Sequence, residues 1–182
     1  LSEYLDKIKF YQTKDTIELK IQRQSIHGQY INIAIQDSNA DIVIILCDDD
    51  ALMSDYLNKL NDYYTNNLTI MYAYCHTKIF DPFLEVPGPS IHRDSGTNRT
   101  GNINASCAVD SSQVTFRTKC FKENNIWFNF PQTGMLDADI FSKMFNMYGP
   151  CAFTGFYGQY KGVFADQLGS RKMSYSPIDL II

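Results

Sequence analysis

Three consecutive carboxylates, Asp48, Asp49 and Asp50, follow an unbroken apolar run, Ile42-Val-Ile-Ile-Leu46 and Cys47. Carboxylates packed this closely repel one another, and partial burial raises their pKa values unless a cation sits among them. Side chains two apart on an extended chain point the same way. Asp48 and Asp50 are therefore placed to grip one ion while Asp49 points elsewhere. Oxygen-only donors of this kind suit a divalent ion such as Mg or Mn. The alternative is a solvated acidic turn after a core strand. A second acidic pair, Asp137 and Asp139, opens a helical pattern. There the positive end of the helix dipole stabilises their charged forms, which is reason enough for both on structural grounds.

The elements that must position these groups can be read from periodicity. The run from Asp41 to about Cys47 predicts a strand buried on both faces, as in a parallel sheet, whose C-terminal end is where an open α/β sheet places ligands. Before it, Ile26, Tyr30, Ile33 and Ala34 share a helical face over 26–38, with Gly28 in the first turn. After it, Ser54 and Asp55 open a helix with Leu57, Leu60 and Tyr64 inward, ended by Asn66-Asn67. Residues 68–75 predict a further buried strand. The stretch 81–102, with Pro82, Pro87, Gly88 and Pro89, has no pattern; it reads as a binding loop or as a disordered surface loop, and His92 and Arg93 are its only hints of chemistry. Strands are expected at 103–109 and 113–117, joined by Asp110-Ser-Ser112. Trp127, the only tryptophan, lies in 126–134. Leu136, Ile140, Met144 and Tyr148 predict a helix over 136–148, stopped by Gly149-Pro150. Residues 151–163 alternate as an antiparallel strand does. Nearer the N-terminus, a short helical piece around Tyr4-Leu5 and strands at Ile8 to Tyr11 and Thr16 to Ile21 are expected.

Composition narrows the classes. The 182 residues suffice for one domain with a sizeable core. A net charge of −4 with no basic block argues against a nucleic-acid surface. No apolar run reaches the length of a membrane span. The five cysteines, at 47, 75, 107, 120 and 151, are odd in number and form no CxxC pair, which reads as reduced thiols in a cytoplasmic protein, peripheral to a membrane at most. Cys47, inside the predicted strand, reads as a small core residue. Glycosylation sequons begin at Asn67, Asn98 and Asn104, a pattern short enough to arise by chance.

Taken in order, these pieces resemble glycosyltransferase family 2, whose members have the GT-A fold. Gly28, Asn32, the strand 41–47 and Asp48/Asp50 fill the places of the family pattern that ends in an Asp-x-Asp motif. Asp110-Ser-Ser-Gln-Val-Thr-Phe-Arg117 resembles the strand leading to the acceptor region. Leu136-Asp-Ala-Asp-Ile-Phe141 resembles the helix start that carries the catalytic base, and Tyr160-Lys-Gly-Val-Phe-Ala-Asp-Gln-Leu168 the segment that closes the active site. The likeness runs from about residue 25 to 170. It implies an α/β, Rossmann-like mixed sheet flanked by helices, with 1–80 the remainder of a donor- and metal-binding half and 81–182 an acceptor-binding half. It also implies inverting transfer of a sugar from a nucleotide-sugar, most simply a UDP-sugar, to a hydroxyl of a carbohydrate or glycolipid acceptor. In that scheme Asp48, Asp49 and Asp50 hold Mn or Mg against the diphosphate. Gly28 and Asn32 join Asp48 and Asp49 in binding the donor. Asp137, or failing it Asp139, takes the acceptor proton. Trp127, Lys161 and Gln167 contact substrate, while Arg117 is structural.

The chain departs from the family in three ways. The resemblance begins past the βαβ half that opens family members, so the domain is expected to be N-terminally incomplete. Ile31 stands where many members have a basic residue, and Phe164 where a His near the cation is common. A second reading follows from these departures: a non-catalytic carbohydrate-binding module derived from a truncated GT-A domain. A third, a Mg-dependent nucleotidyl or phosphoryl transferase, lacks the Gly-rich phosphate loop with a Lys that it calls for.

Overall fold

In the computed structural model, residues 26–47, 50–80, 93–94, 98–106, 108–129 and 136–162 are described. The elements expected before residue 25 lie outside them. The described residues form a mixed sheet of six strands: β1 (Ile42–Ile44), β2 (Asp50–Leu52), β3 (Tyr72–Phe80), β4 (Arg93–Asp94), β5 (Val114–Arg117) and β6 (Ala152–Gly162). The order is β1-β5-β3-β6-β2, with β4 beside β3 off this path. Only β3 and β6 run parallel; the other pairs are antiparallel. Among the described strands, β2 reaches the sheet solely through β6. Among the described residues there are four α-helices: α1 (Ile26–Asp37), α2 (Tyr56–Asn66), α3 (Lys119–Lys122) and α4 (Leu136–Tyr148). None of the described helices is long and apolar enough to cross a membrane.

Register sorts the side chains by face, because directly opposed residues on neighbouring strands share one. Ile44, Thr115 and Ala73 align across β1, β5 and β3, and Thr77, Gln159 and Leu52 across β3, β6 and β2. On this face Tyr56, Leu60 and Tyr64 of α2 pack on Ala73, Cys75 and Ala152. The opposite face presents Tyr72, Tyr74, Val114 and Phe116 to Ile140, Phe141 and Met144 of α4 and to Ile35 of α1. Phe116 is fully buried, with its ring 5.5 Å from Phe121 and 6.3 Å from Phe141.

Helix α4 and its stop agree with the periodicity: Gly149 adopts φ 79°, the left-handed conformation that ends a helix at little cost to glycine. Elsewhere tertiary pairing overrides the local pattern. The strand expected over 41–47 is only three residues long, half-buried, and pairs antiparallel with β5 rather than inside a parallel sheet. Beyond Ile44 the chain leaves the sheet, so Leu46 is 45% exposed and Cys47 is exposed rather than in the core. Helix α2 takes Asp55, not Ser54, as its N-cap residue and buries Tyr56, Leu60 and Tyr64 at a spacing of four, which turns Leu57 outward at 58% exposure. Strand β3 starts at Tyr72, after a turn closed by Ile70 N–H donating to the Asn67 carbonyl at 3.1 Å. The strand expected at 103–109 is reduced to one bridge, Ile103 with Cys151. Strand β6 pairs parallel to β3 on one side and antiparallel to β2 on the other, where sequence alternation had suggested a wholly antiparallel setting.

One close approach fixes α2 against the sheet. A Cβ placed on Gly158 of β6 would lie 2.4 Å from the Tyr56 ring and 2.5 Å from Cys75 Sγ. The Gly158 carbonyl also accepts the Met53 N–H at 3.0 Å, tying β6 to the segment between β2 and α2.

Candidate active site

The end of the acidic run lies at the carboxyl end of the parallel pair. Asp50 opens β2 directly opposite Lys161 near the end of β6, and both Asp50 carboxylate oxygens are shielded from solvent. Lys161 forms an ion pair with Asp110, whose Oδ2 accepts from Nζ. The other oxygen of Asp110 accepts from Ser112, from its N–H at 3.2 Å and its hydroxyl at 3.0 Å. The Asp110 N–H in turn donates to Gln113 Oε1 at 2.9 Å, completing a capping box on the 3₁₀ turn Ser111–Gln113. Burial alone would raise the Asp110 carboxyl and lower the Lys161 ammonium. Their mutual contact reverses both effects, so Asp110 is held below the usual carboxylate range and Lys161 above the usual lysine range, with Asp50 adding to the latter.

Beneath the pair runs a buried polar network. Gln159 Nε2 donates to Thr77 Oγ1 at 3.4 Å and to Ser112 Oγ at 3.2 Å. Gln113 Nε2 donates to the Cys75 carbonyl at 2.9 Å and to Asn98 Oδ1 at 3.3 Å. Asn98 clamps the backbone of Thr77, accepting its N–H at 2.8 Å and donating to its carbonyl at 3.0 Å. Thr77, Ser112, Gln113 and Gln159 are all buried. Networks so nearly satisfied rigidify what they carry.

Helix α4 brings Asp137 and Asp139 in from the other face of the sheet, since its apolar side packs on Phe116. They can meet Asp50 over a common substrate only beyond the strand ends. Asp137 Oδ1 accepts the Ala138 N–H at 2.9 Å. Asp139 is engaged by Lys143 at 2.9 Å, and Lys143 also donates to the Trp127 carbonyl at 2.9 Å and to Asn129 Oδ1 at 2.6 Å. Trp127 packs on Phe121 with centroids 5.9 Å apart and donates through Nε1 to Asn125 Oδ1 at 2.8 Å. It lines an open groove of about 540 Å³ together with Asn124, Asn125, Asn129, Lys143 and Asn146.

Other expected site residues are spent on the scaffold. Both ends of the Asn32 amide are taken by the Phe128 backbone, Nδ2 to its carbonyl at 2.8 Å and Oδ1 from its N–H at 3.1 Å. Gly28 is buried within α1. Arg117 donates to the carbonyls of Ile70 at 2.8 Å and Tyr64 at 2.7 Å and lies over the Tyr64 ring, the structural role expected of it. Arg93 is in β4, in register with Ile79. Asp48, Asp49, His92, Phe164 and Gln167 lie outside the described residues. Among the described residues no group of three or more His, Cys, Asp and Glu could hold a metal ion.

Four polar residues escape the sequence reading: Asn98, Gln113, Gln159 and, as a partner for Lys161, Asp110. Asp110-x-x-Gln113 carries the capping-box spacing and could have been read as such. Gln159 shares the alternation of Lys161. Nothing local marks Asn98, whose amide substitutes for a strand partner of β3.

No family model matches the chain, and no curated protein does. Solved structures do. S. aureus TarS 1–349 in complex with UDP superposes with a TM-score of 0.58 at 15% identity, over 90% of this chain and 46% of that one. The same protein in complex with UDP-GlcNAc gives 0.55 at 16% identity, over 84% and 43%. S. aureus TarS gives 0.57 at 15% identity, over 91% and 28%. The chain thus spans less than half the length of these proteins. What the likeness carries is architecture: the mixed sheet with helices on both faces is a glycosyltransferase-like fold.

Proposed function

We propose that this chain is the core of a glycosyltransferase that takes a sugar from a nucleotide-sugar, most simply a UDP-sugar, and passes it with inversion to a hydroxyl of a carbohydrate or glycolipid. The observation that carries the proposal is the coincidence of two things. Over most of its length the chain shares the fold of structures that include complexes with UDP and UDP-GlcNAc. And its acidic run ends in Asp50, a shielded carboxylate beside Lys161 at the carboxyl end of β3 and β6. Ligands of open α/β sheets bind outside the carboxyl ends of strands.

Carboxylate oxygens alone suit Mn or Mg, so the donor set at the acidic run fits such an ion; Asp50 would hold it with Asp48 and Asp49. When bound, the ion neutralises charge on the departing nucleoside diphosphate. The remaining work falls to the chain. Asp137 is the proposed base for the acceptor hydroxyl. Asp139, engaged by Lys143, is better suited to holding α4 against the segment around Trp127. The groove beside Trp127 offers one aromatic ring and several amides, chemistry suited to sugar hydroxyls and ring faces, and is the proposed acceptor approach. A carbohydrate-binding module without catalysis would use that groove alone.

The test is a calorimetric titration of Mn with UDP, on the wild-type chain and on Asp50→Ala. Metal-dependent UDP binding that disappears in Asp50→Ala is the expected result. Saccharide binding without any UDP binding would replace the transferase reading with the binding module.

A further inference from the structure

The ion pair of Lys161 and Asp110 is more than the local fold requires. The 3₁₀ turn needs only one oxygen of Asp110, and Ser112 takes it. Asn or Ser would cap such a turn about as well as Asp. The second oxygen is given wholly to Lys161. Charged pairs that are largely shielded from water are weak sources of stability, and an apolar pair of similar volume often does better. Here the side chains are 30% and 25% exposed, so the pair bears much of that desolvation cost. Asp110 is fixed from below as well, through its capping box with Gln113 and through the link from Ser112 to Gln159 and Thr77. Its position leaves the ammonium little choice. An ammonium has three donors, and the contact with Asp110 uses one.

Lys161 also stands in a telling place. It is the penultimate residue of β6, at the carboxyl end of the parallel pair and in register with Asp50 at the end of the acidic run. A cation held there lies on the same side of the sheet as Asp50. A nucleoside diphosphate reaching that side brings negative charge, and a preset ammonium meets it without reorganisation.

We propose that Asp110 is a positioning residue that presents the Lys161 ammonium to the diphosphate of the donor. This rests on the nucleotide-sugar reading given above, and names the protein group that meets the phosphates in that same site. Asp110 acts through Lys161 and does not itself touch the donor.

The experiment is calorimetric binding of UDP, and of uridine as a phosphate-free probe, to the wild-type chain, Asp110→Asn, Lys161→Met and the double variant, all in Mn buffer. Asp110→Asn keeps the cap and the bonds to Ser112, so the fold is retained, and the melting profile checks this. UDP affinity should fall about tenfold in each single variant, the loss expected of one charge-assisted hydrogen bond. The double variant should fall no further, and uridine affinity should not change. The salt dependence of UDP binding should flatten in Lys161→Met. Undiminished UDP binding by Asp110→Asn or Lys161→Met overturns the inference while leaving the nucleotide-sugar reading intact. Equal losses for UDP and uridine also overturn it, because they mark a merely structural role. Absence of UDP binding by the wild-type chain overturns the nucleotide-sugar reading and, with it, this inference.

Discussion

Lys161 and Asp110 are 51 residues apart in sequence, yet the end of β6 and the start of the 3₁₀ turn bring them into an ion pair beside Asp50. The pair has a definite pH signature. The Asp110 carboxyl is held below its ordinary 3.8, so its contribution to stability is present above that value and is lost as pH falls through the folded-state pKa. Lys161 is held above its ordinary 10.5, so its contribution is complete below that value and is lost as pH rises through the folded-state pKa. The stability gap between wild type and Asp110→Asn should therefore be flat between about pH 5 and 9 and close at both extremes. Urea unfolding carried beyond both ends of that range measures it. A gap independent of pH would show that the pair is not coupled to folding.

Asp110→Ala, which removes the cap as well as the ion pair, should be less stable than Asp110→Asn by about 1 kcal/mol, the usual worth of an N-cap side chain. Denaturant midpoints at neutral pH compare the two.

The two carboxylates at the start of α4 should separate cleanly. Asp139→Asn breaks an i,i+4 pair with Lys143 and should cost no more than about 0.5 kcal/mol in stability, with sugar transfer retained. Asp137→Asn should leave the melting temperature nearly unchanged and abolish transfer, measured as sugar released from donor to acceptor. Equal activity of the two variants would remove Asp137 as the base.

Gly158 should tolerate no side chain. Its Cβ would meet the Tyr56 ring and Cys75 Sγ at distances no packed atoms share. Gly158→Ala should therefore cost about 1–3 kcal/mol through overpacking, read from denaturant unfolding.

The thiols should divide by exposure. Burial pushes Cys75 and Cys120 up to about 11 and Cys151 higher still. Cys47 is exposed. At pH 8 a thiol reagent should modify Cys47 quickly, a contribution lost in Cys47→Ser, and should reach Cys75, Cys120 and Cys151 only on unfolding.

The parts legible in the sequence are those whose information is local. Helix α4 was readable because Leu136, Ile140, Met144 and Tyr148 repeat at helical spacing and Gly149 stops them. The acidic run was readable because Asp48, Asp49 and Asp50 are adjacent. What escaped depends on partners distant in sequence. Ile42 to Ile45 look like a core strand, but their burial is decided by β5, which pairs with only three residues of the run. Leu57 looks as apolar as Leu60, yet the direction of α2 follows from Tyr56 packing at Gly158. Lys161 was placed against substrate by resemblance alone, whereas its anchor, Asp110, belongs to a turn whose position no local pattern records.

The place of β2 in the strand order makes its part of the site depend on β6. Among the described strands, β2 has one neighbour, β6, which is synthesised long after it. Until β6 inserts between β3 and β2, no described strand holds Asp50 in the sheet and Lys161 does not face it. An emerging chain that stops short of Ala152 would leave Asp50 without that strand partner. Long-range pairing of this kind is slow to form. The described contacts of Asp50 and Lys161 therefore form only once β6 joins the sheet.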